Sequence, residues 1–273
     1  MHRPTYYDDN ITRDYLSLYL DGCPFRWLSV ILEEYALATL PRSTSAQILD
    51  LACGVGSFCR RAAAVGYREV VGIDLSESQI RACIDDTPTN FLNILFHCVD
   101  ATALGDLPEY AARFDIVNAS WLYSAASSED ELFKMACSAR KCVGPTGRHV
   151  GMDLNFEIRA SEWWEIEEFG IALMPDKMPG VRPYNGELIN GKISTDLQFL
   201  NGLSLAHTIS TDVTYFDEYT YKNIFLNAGF RSVQFIHPRD WGLNDFLISK
   251  GYYEKFQKYI SHNPEMIAFE ASP

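Results

Sequence analysis

The sequence predicts an α/β fold built on a doubly wound, mainly parallel seven-stranded sheet, and three observations carry that expectation. Apolar runs that read as buried strands alternate with amphipathic stretches of about ten to fifteen residues through Asn155. Capping residues and glycines fall at the joints between them. The alternation stops after Asn155 and returns near residue 212, so one sheet is completed around an insertion.

FRWLSVILEEYALATL (25–40) places Trp27, Leu28, Ile31, Leu32, Tyr35 and Leu37 near a 3.6-residue period ahead of Pro41, and predicts a helix. QILDLA (47–52) reads as a buried strand, SFCRRAAAVG as a helix ended by Gly66, and REVVGIDLS as a second strand. Ser76 with Gln79 three positions later forms a capping box that opens the helix SESQIRACIDD. ILFHCVDA (94–101) and FDIVNASWLY (114–123) supply the third and fourth strands. Ser128 with Glu131 opens the helix EDELFKMACSARKCV, and GPTG turns the chain into a fifth strand, RHVGMDLN (148–155).

Residues 156–192 are rich in Pro and Gly and show no clear period. ISTDLQFL and LSLAHTISTDVTYF, joined by Asn201-Gly202, predict a β-hairpin, because Asn-Gly accepts the positive φ of a two-residue turn. DEYTYKNIFLNAGF then predicts a helix with Gly229 at its C-cap, RSVQFIHP a strand, SKGYYEKFQKYI a helix and EMIAFEA a closing strand.

Composition narrows the function. A formal net charge of −13 argues against work on a polyanion, since binding to phosphate backbones is driven by basic surface. Nucleic acid and acidic membranes are therefore not the expected partners. The seven cysteines include no CxxC pair, so neither a zinc ribbon nor a disulfide framework is expected, and no metal site. No run of 18 apolar residues occurs, and MHRPTYYDDNITRDY is too polar for a signal peptide. The expectation is a cytoplasmic protein.

In an open parallel sheet, ligands sit beyond the carboxyl ends of the strands, where strand order reverses. Gly54 and Gly56 fall there, where backbone without a Cβ allows close approach. Asp74 ends the second strand 20 residues after Gly54, a spacing that suits a carboxylate accepting hydrogen bonds from vicinal ribose hydroxyls. A dinucleotide fingerprint needs a third glycine, and Cys59 occupies that place. The pyrophosphate reading is weakened accordingly.

D-x-A-C-G-x-G, followed by VVGIDLS and an acid ending the third strand in HCVDAT, resembles the class I S-adenosylmethionine-dependent methyltransferases over roughly residues 47–155. The resemblance implies a Rossmann-like sheet and S-adenosyl-L-methionine as cofactor. It places Asp50, Ala52 and Gly54 along the methionine part, and Asp74 with Leu75 at the ribose. Asp100 and Ala101 would face the adenine, while Ser120 and Trp121 would lie near the sulfonium. A cationic sulfur suits carboxylates and aromatic faces better than a phosphate dianion would.

The second half resembles small-molecule methyltransferases of secondary metabolism, of the toxoflavin-synthase type, through WLYSA, MDLN, the long insertion, YTYKNIFLNAGF and NPEMIAFEA. That resemblance divides one domain, 1–273, into an N-terminal helical lid and helix (1–40), a cofactor-binding core (41–155), a substrate-cap insertion with the β-hairpin (156–211) and the C-terminal part of the core (212–273). The lid segment carries Tyr6, Tyr7, Tyr15 and Tyr19, with Tyr15 or Arg26 reaching the cofactor carboxylate, and an amphipathic helix packed on the sheet is the other reading of it. Tyr7, Trp163, Trp164 and Tyr184, with Phe169 and Phe199, are candidates for the acceptor pocket, although core packing is the stronger explanation of each aromatic taken alone. Tyr123, His207, His237, Glu157 and Glu165 are candidates for proton transfer, His207 also fitting a structural role inside a strand. Methyl transfer to a small organic acceptor is expected, NASW lacking the Asn/Asp-Pro-Pro-aromatic string of base-amino methylation. A cyclase on the same scaffold and a non-catalytic cofactor-binding protein are the alternatives, and a homo-oligomer is compatible with the sequence.

Overall fold

A computed structural model describes residues 9, 12, 26–38, 45–155, 171–174, 191–201, 204–261 and 266–273; the strands within 171–213 are described by their backbone. Helix α1 is Arg26–Ala38, followed by β1 (Gln47–Leu51), α2 (Ser57–Val65), β2 (Glu69–Asp74), α3 (Glu77–Asp86), β3 (Ile94–Cys98) and β4 (Phe114–Ser120). Then come α4 (Glu129–Cys142), β5 (Val143–Leu154), β6 (Ile171–Met174), β7 (Gly191–Asn201) and β8 (Ser204–Tyr215). The chain closes with α5 (Glu218–Asn227), β9 (Ser232–Ile236), α6 (Asn244–Ser249), α7 (Tyr253–Ser261) and β10 (Met266–Ser272).

Seven strands form one sheet in the order β3-β2-β1-β4-β5-β10-β9. β1 through β5 pair in parallel, while β10 runs antiparallel to both β5 and β9. Strand order therefore reverses between β1 and β4, and the crevice beyond their carboxyl ends is the ligand position this topology creates.

Alternation along β1 sends Leu49 and Leu51 to one face and Ile48 to the other, all three fully buried. On the first face they join Val71, Ile73 and Val117 beneath Leu132, Met135 and Ala136 of α4 and Phe225 of α5. On the second, Ile48, Val70 and Ile116 pack against Phe58, Cys59 and Ala62 of α2 and Ile80 of α3. Helix α1 buries Trp27, Leu28 and Ile31 against β5, β10 and α7 through Met152, Ala268 and Phe256. Each such side chain contributes about 1.5–3 kcal/mol on leaving water, which is why both faces are covered.

Several expectations are adjusted by the structure. The fourth strand ends at Ser120 rather than running to residue 123, because Trp121 turns into left-handed backbone. GPTG does not precede the fifth strand but interrupts it: pairing jumps from Phe114–Val143 to Ile116–Arg148, leaving Pro145 and Thr146 exposed. Among the described residues the insertion holds a three-stranded antiparallel sheet, β6-β7-β8, whose first strand lies in the segment without a period. β7 and β8 pair antiparallel from Gly191–Tyr215 to Asn201–Ser204, as a hairpin requires, and Gly202 of the expected Asn201-Gly202 turn lies outside the described residues. The short helix α6, which ends ahead of Gly251 at φ +70°, was not legible in the sequence. Among the described residues no helix is long and apolar enough to cross a membrane, and no cluster of His, Cys, Asp or Glu is arranged to hold a metal ion.

Candidate active site

Three non-glycine residues among those described have positive φ, and two of them, Ala52 at +55° and Trp121 at +63°, sit just past β1 and β4. Left-handed backbone costs a residue with a Cβ about 1–3 kcal/mol and persists only where surroundings over-determine it. Two neighbouring strands thus end in strained turns at the switch point, where such strain points to a site.

The two loop glycines do different jobs. A Cβ on Gly54, at φ +55°, would meet only the Gln79 Oε1 at 4.0 Å, so this peptide faces open space. A Cβ on Gly56 would press the Cys83 Sγ at 2.9 Å and the Phe96 ring at 3.0 Å, so the second glycine serves packing between α2 and its neighbours. Only Gly54 provides the close approach expected of both.

Asp74 ties this loop to the next. One of its oxygens accepts the Gly54 N–H at 3.0 Å and the other the Ser76 N–H at 2.9 Å, and Val99 N–H donates to its carbonyl at 3.0 Å. Burial raises its pKa, while the amides from Ser76 and Gly54 pull it back. That arrangement alters the predicted capping box. Gln79 N–H donates to Ser76 Oγ at 3.3 Å as expected, but Ser76 N–H is taken by Asp74, and Gln79 Oε1 is left buried without a partner among the described residues. An acceptor released in this way, beside the open Gly54, costs free energy until something donates to it.

Asp50 is fully buried, accepting from Asn118 Nδ2 at 2.7 Å and Cys59 Sγ at 3.3 Å. Burial pushes its pKa up to about 7 against the two hydrogen bonds, and the charges of Asp74 and Glu33 push the same way. Asn118 Oδ1 is a second buried acceptor without a partner among the described residues. Sequence reasoning missed both Gln79 and Asn118 as site residues; a polar side chain at each of two positions facing the sheet core was the available signal.

At the N-terminus of α2, where a pyrophosphate would lie on a dinucleotide fold, a carboxylate is already in place. Ser57 Oγ–H donates to Glu33 Oε1, and Arg61 bridges Glu33 at 3.1 Å and Glu34 at 2.6 Å. The positive end of the helix is thereby paired with an anion of the chain. Cys59 stands where the third glycine would be, its thiol engaged with Asp50. Both observations disfavour a dinucleotide.

On the far side of β2, Asp100 Oδ1 accepts the Thr102 N–H and hydroxyl, each at 2.8 Å, next to the buried Ala101. Leu75 is 53% exposed between this turn and Asp74. Past β4, Ser120 is half-buried and Trp121 is 37% exposed, its N–H donating to Met152 O at 2.8 Å. Asp50, Ala52, Gly54, Asp74, Leu75, Asp100, Ala101, Ser120 and Trp121 thus all lie at the carboxyl ends of β1 to β4 or in the turns just past them.

Tyr123 does not join them. Its side chain is fully buried, its hydroxyl lies 2.6 Å from His149 Nε2, and its ring packs on Phe225 and Phe269. His149 Nδ1 sits 2.8 Å from the Val117 carbonyl, so it carries the proton and Nε2 accepts from the phenol. Burial lowers the His149 pKa to about 4 and raises that of Tyr123 well above the ordinary value. Tyr123 is a core residue and is withdrawn as a proton-transfer group. His237 is half-buried just past β9, the edge strand three places from β4. His207 occupies β8 opposite Phe199, and Arg26 opens α1; for these two residues the backbone position is what is described. Tyr6, Tyr7, Tyr15, Tyr19, Glu157, Trp163, Trp164, Glu165, Phe169 and Tyr184 lie outside the described residues. Of the N-terminal segment, Asp9 meets Ser78 at 2.8 Å and Arg81 at 2.9 Å on α3.

Residues 48–147 match a family model described as a methyltransferase domain. No curated protein gives a significant match. Among solved structures, an S-adenosylmethionine-dependent methyltransferase from Mesorhizobium loti is 18% identical, with a TM-score of 0.55, covering 93% of this chain and 99% of its own. DesVI from Streptomyces venezuelae is 15% identical, with a TM-score of 0.59 over 98% of this chain and 99% of its own. SpnF, a [4+2]-cyclase, is 16% identical, with a TM-score of 0.50 over 88% and 79%. Identities this low establish a shared fold, the Rossmann-like sheet of methyltransferases.

Proposed function

We propose that this chain, whose residues 48–147 match a methyltransferase domain, binds S-adenosyl-L-methionine and transfers its methyl group to a small organic acceptor. The observation that carries the reading is the Gly54 peptide, open to the crevice between the Asp74 carboxylate and the unpartnered Gln79 Oε1. Those groups fit a nucleoside: each Asp74 oxygen keeps acceptor capacity for a ribose hydroxyl, and Gln79 Oε1 accepts from a further donor. Asp100 and Ala101 would face the adenine. Asp50, Ala52 and Asn118 line the methionine side, with Tyr15 or Arg26 reaching the carboxylate. Buried acids at this end of the sheet favour a cation, and Trp121 offers it an aromatic face.

Bound there, the cofactor supplies an electrophilic methyl carbon on a positively charged sulfur. The chain's own tasks are alignment and exclusion of water, since displacement at carbon needs the acceptor in line and disperses charge best in a dry site. We assign water exclusion to a lid supplied by the segment ahead of α1, which the Asp9 contacts with Ser78 and Arg81 on α3 would anchor beside the crevice. The β6-β7-β8 sheet covers the acceptor, with Tyr7, Trp163, Trp164 and Tyr184 as its apolar walls and His207 as the group that takes a proton.

The test is incubation of the protein with S-adenosyl-L-methionine and pooled small-molecule acceptors, read by product mass. A gain of one CH2 with formation of S-adenosylhomocysteine supports methyl transfer. Conversion at unchanged mass would instead favour cyclisation, the activity named for the SpnF neighbour.

A further inference from the structure

The turn that follows β4 holds a bulky residue in an unfavourable conformation, and one carboxylate lies behind it. Trp121 adopts φ +63° while the residue stays 37% exposed, so burial of the side chain is not what fixes the backbone. Hydrogen bonds do. Trp121 N–H donates to Met152 O at 2.8 Å, Ala125 N–H to Leu122 O at 3.1 Å and Ser124 Oγ to Trp121 O at 3.4 Å. Ser124 N–H, three residues on, donates to Asp153 Oδ2 at 3.0 Å.

Asp153 is 2% exposed, near the end of β5. Its Oδ1 accepts the Leu154 N–H at 2.8 Å, and the Tyr221 hydroxyl also donates to it. Three donors from three elements therefore converge on one buried carboxylate, and one is the backbone N–H of the residue that closes the Trp121 turn. Burial raises the Asp153 pKa to about 6 in spite of them, so the group is held there against an electrostatic cost.

We propose that Asp153 is a positioning residue that locks the turn after β4 so that the Trp121 indole is presented to the sulfur of the bound cofactor. The inference rests on the reading that S-adenosyl-L-methionine occupies the crevice, and it assigns Asp153 no contact with the ligand. Tyr221, which brings α5 to the same carboxylate, makes the helix after the cap part of the clamp.

Titration calorimetry with S-adenosyl-L-methionine and S-adenosylhomocysteine tests it, because the two ligands differ in the sulfonium charge that an aromatic face senses. Trp121→Leu should weaken the sulfonium ligand about five- to tenfold and the neutral thioether less than about twofold. Asp153→Asn should reproduce that selective loss, and the double variant should be no weaker than either single one. Should Asp153→Asn not fold, Tyr221→Phe, which removes only a hydroxyl from the carboxylate, should shift the same ratio in the same direction. Unchanged binding in Asp153→Asn, equal weakening of both ligands, or additivity with Trp121→Leu would overturn the proposal. A wild-type protein that binds neither ligand would instead overturn the methyl-transfer reading, and the positioning role with it.

Discussion

The Asp74 carboxylate accepts the Gly54 amide at 3.0 Å, joining the loop after β1 to the end of β2. The acid that would hold a ribose is therefore also the group that shapes the backbone beside it. This explains how a loop with left-handed residues at Ala52, Gly54 and Gly56 keeps one form.

The two loop glycines separate binding from folding. Gly56→Ala should lower stability by about 1–3 kcal/mol, since the new methyl overlaps Cys83 and Phe96 at 2.9–3.0 Å on a backbone of φ +75°. Gly54→Ala meets no such wall and should cost about 1–2 kcal/mol through φ alone, yet it fills the open peptide and should abolish cofactor binding. Thermal denaturation together with ligand titration distinguishes the two.

Tyr123→Phe should leave turnover within about twofold of wild type while lowering stability by about 1–3 kcal/mol, because it strands His149 Nε2 in the core. Chemical denaturation alongside an activity assay measures both. A large fall in kcat with unchanged stability would restore Tyr123 to the reaction.

Asp50 links stability to pH. Its pKa, raised by burial to about 7 from 3.8, means that the folded protein holds a proton the unfolded chain releases, so its contribution is full below about pH 4 and is lost as pH rises through 7. Asp50→Asn cannot ionise and keeps a similar shape. The melting temperature of the variant minus that of wild type should therefore increase between pH 5 and pH 8. His149, lowered to about 4 by burial, acts in the opposite sense, favouring the fold as pH rises from 4 to 6.5. It is common to both proteins and cancels from the difference.

The parallel core was legible in the sequence because each buried strand is a continuous apolar run, as with Ile48, Leu49 and Leu51 around Asp50. Both capping serines were legible too, and Ser128 accepts the Glu131 N–H at 3.3 Å. What stayed hidden depended on long-range competition. Nothing local says that Asp74 will take the Ser76 amide and so release Gln79, or that Trp121 will leave the strand by turning left-handed. The burial of Tyr123 was hidden for the same reason, since the aromatic cluster of His149, Phe225 and Phe269 that encloses it comes from residues 26 to 146 positions away. β6 escaped notice for a related reason: four residues are too few to show a period.

The central claim is that the mouth of the sheet accepts a sulfonium nucleoside gripped by Asp74, and calorimetric titration of wild type and Asp74→Ala with S-adenosyl-L-methionine, S-adenosylhomocysteine and NADH tests it most directly. The account predicts saturable binding of the first two to wild type, at least about a tenfold loss of both in Asp74→Ala, and no binding of NADH. Absence of heat with both sulfur ligands, uptake of NADH, or an Asp74→Ala variant with wild-type affinity would contradict it.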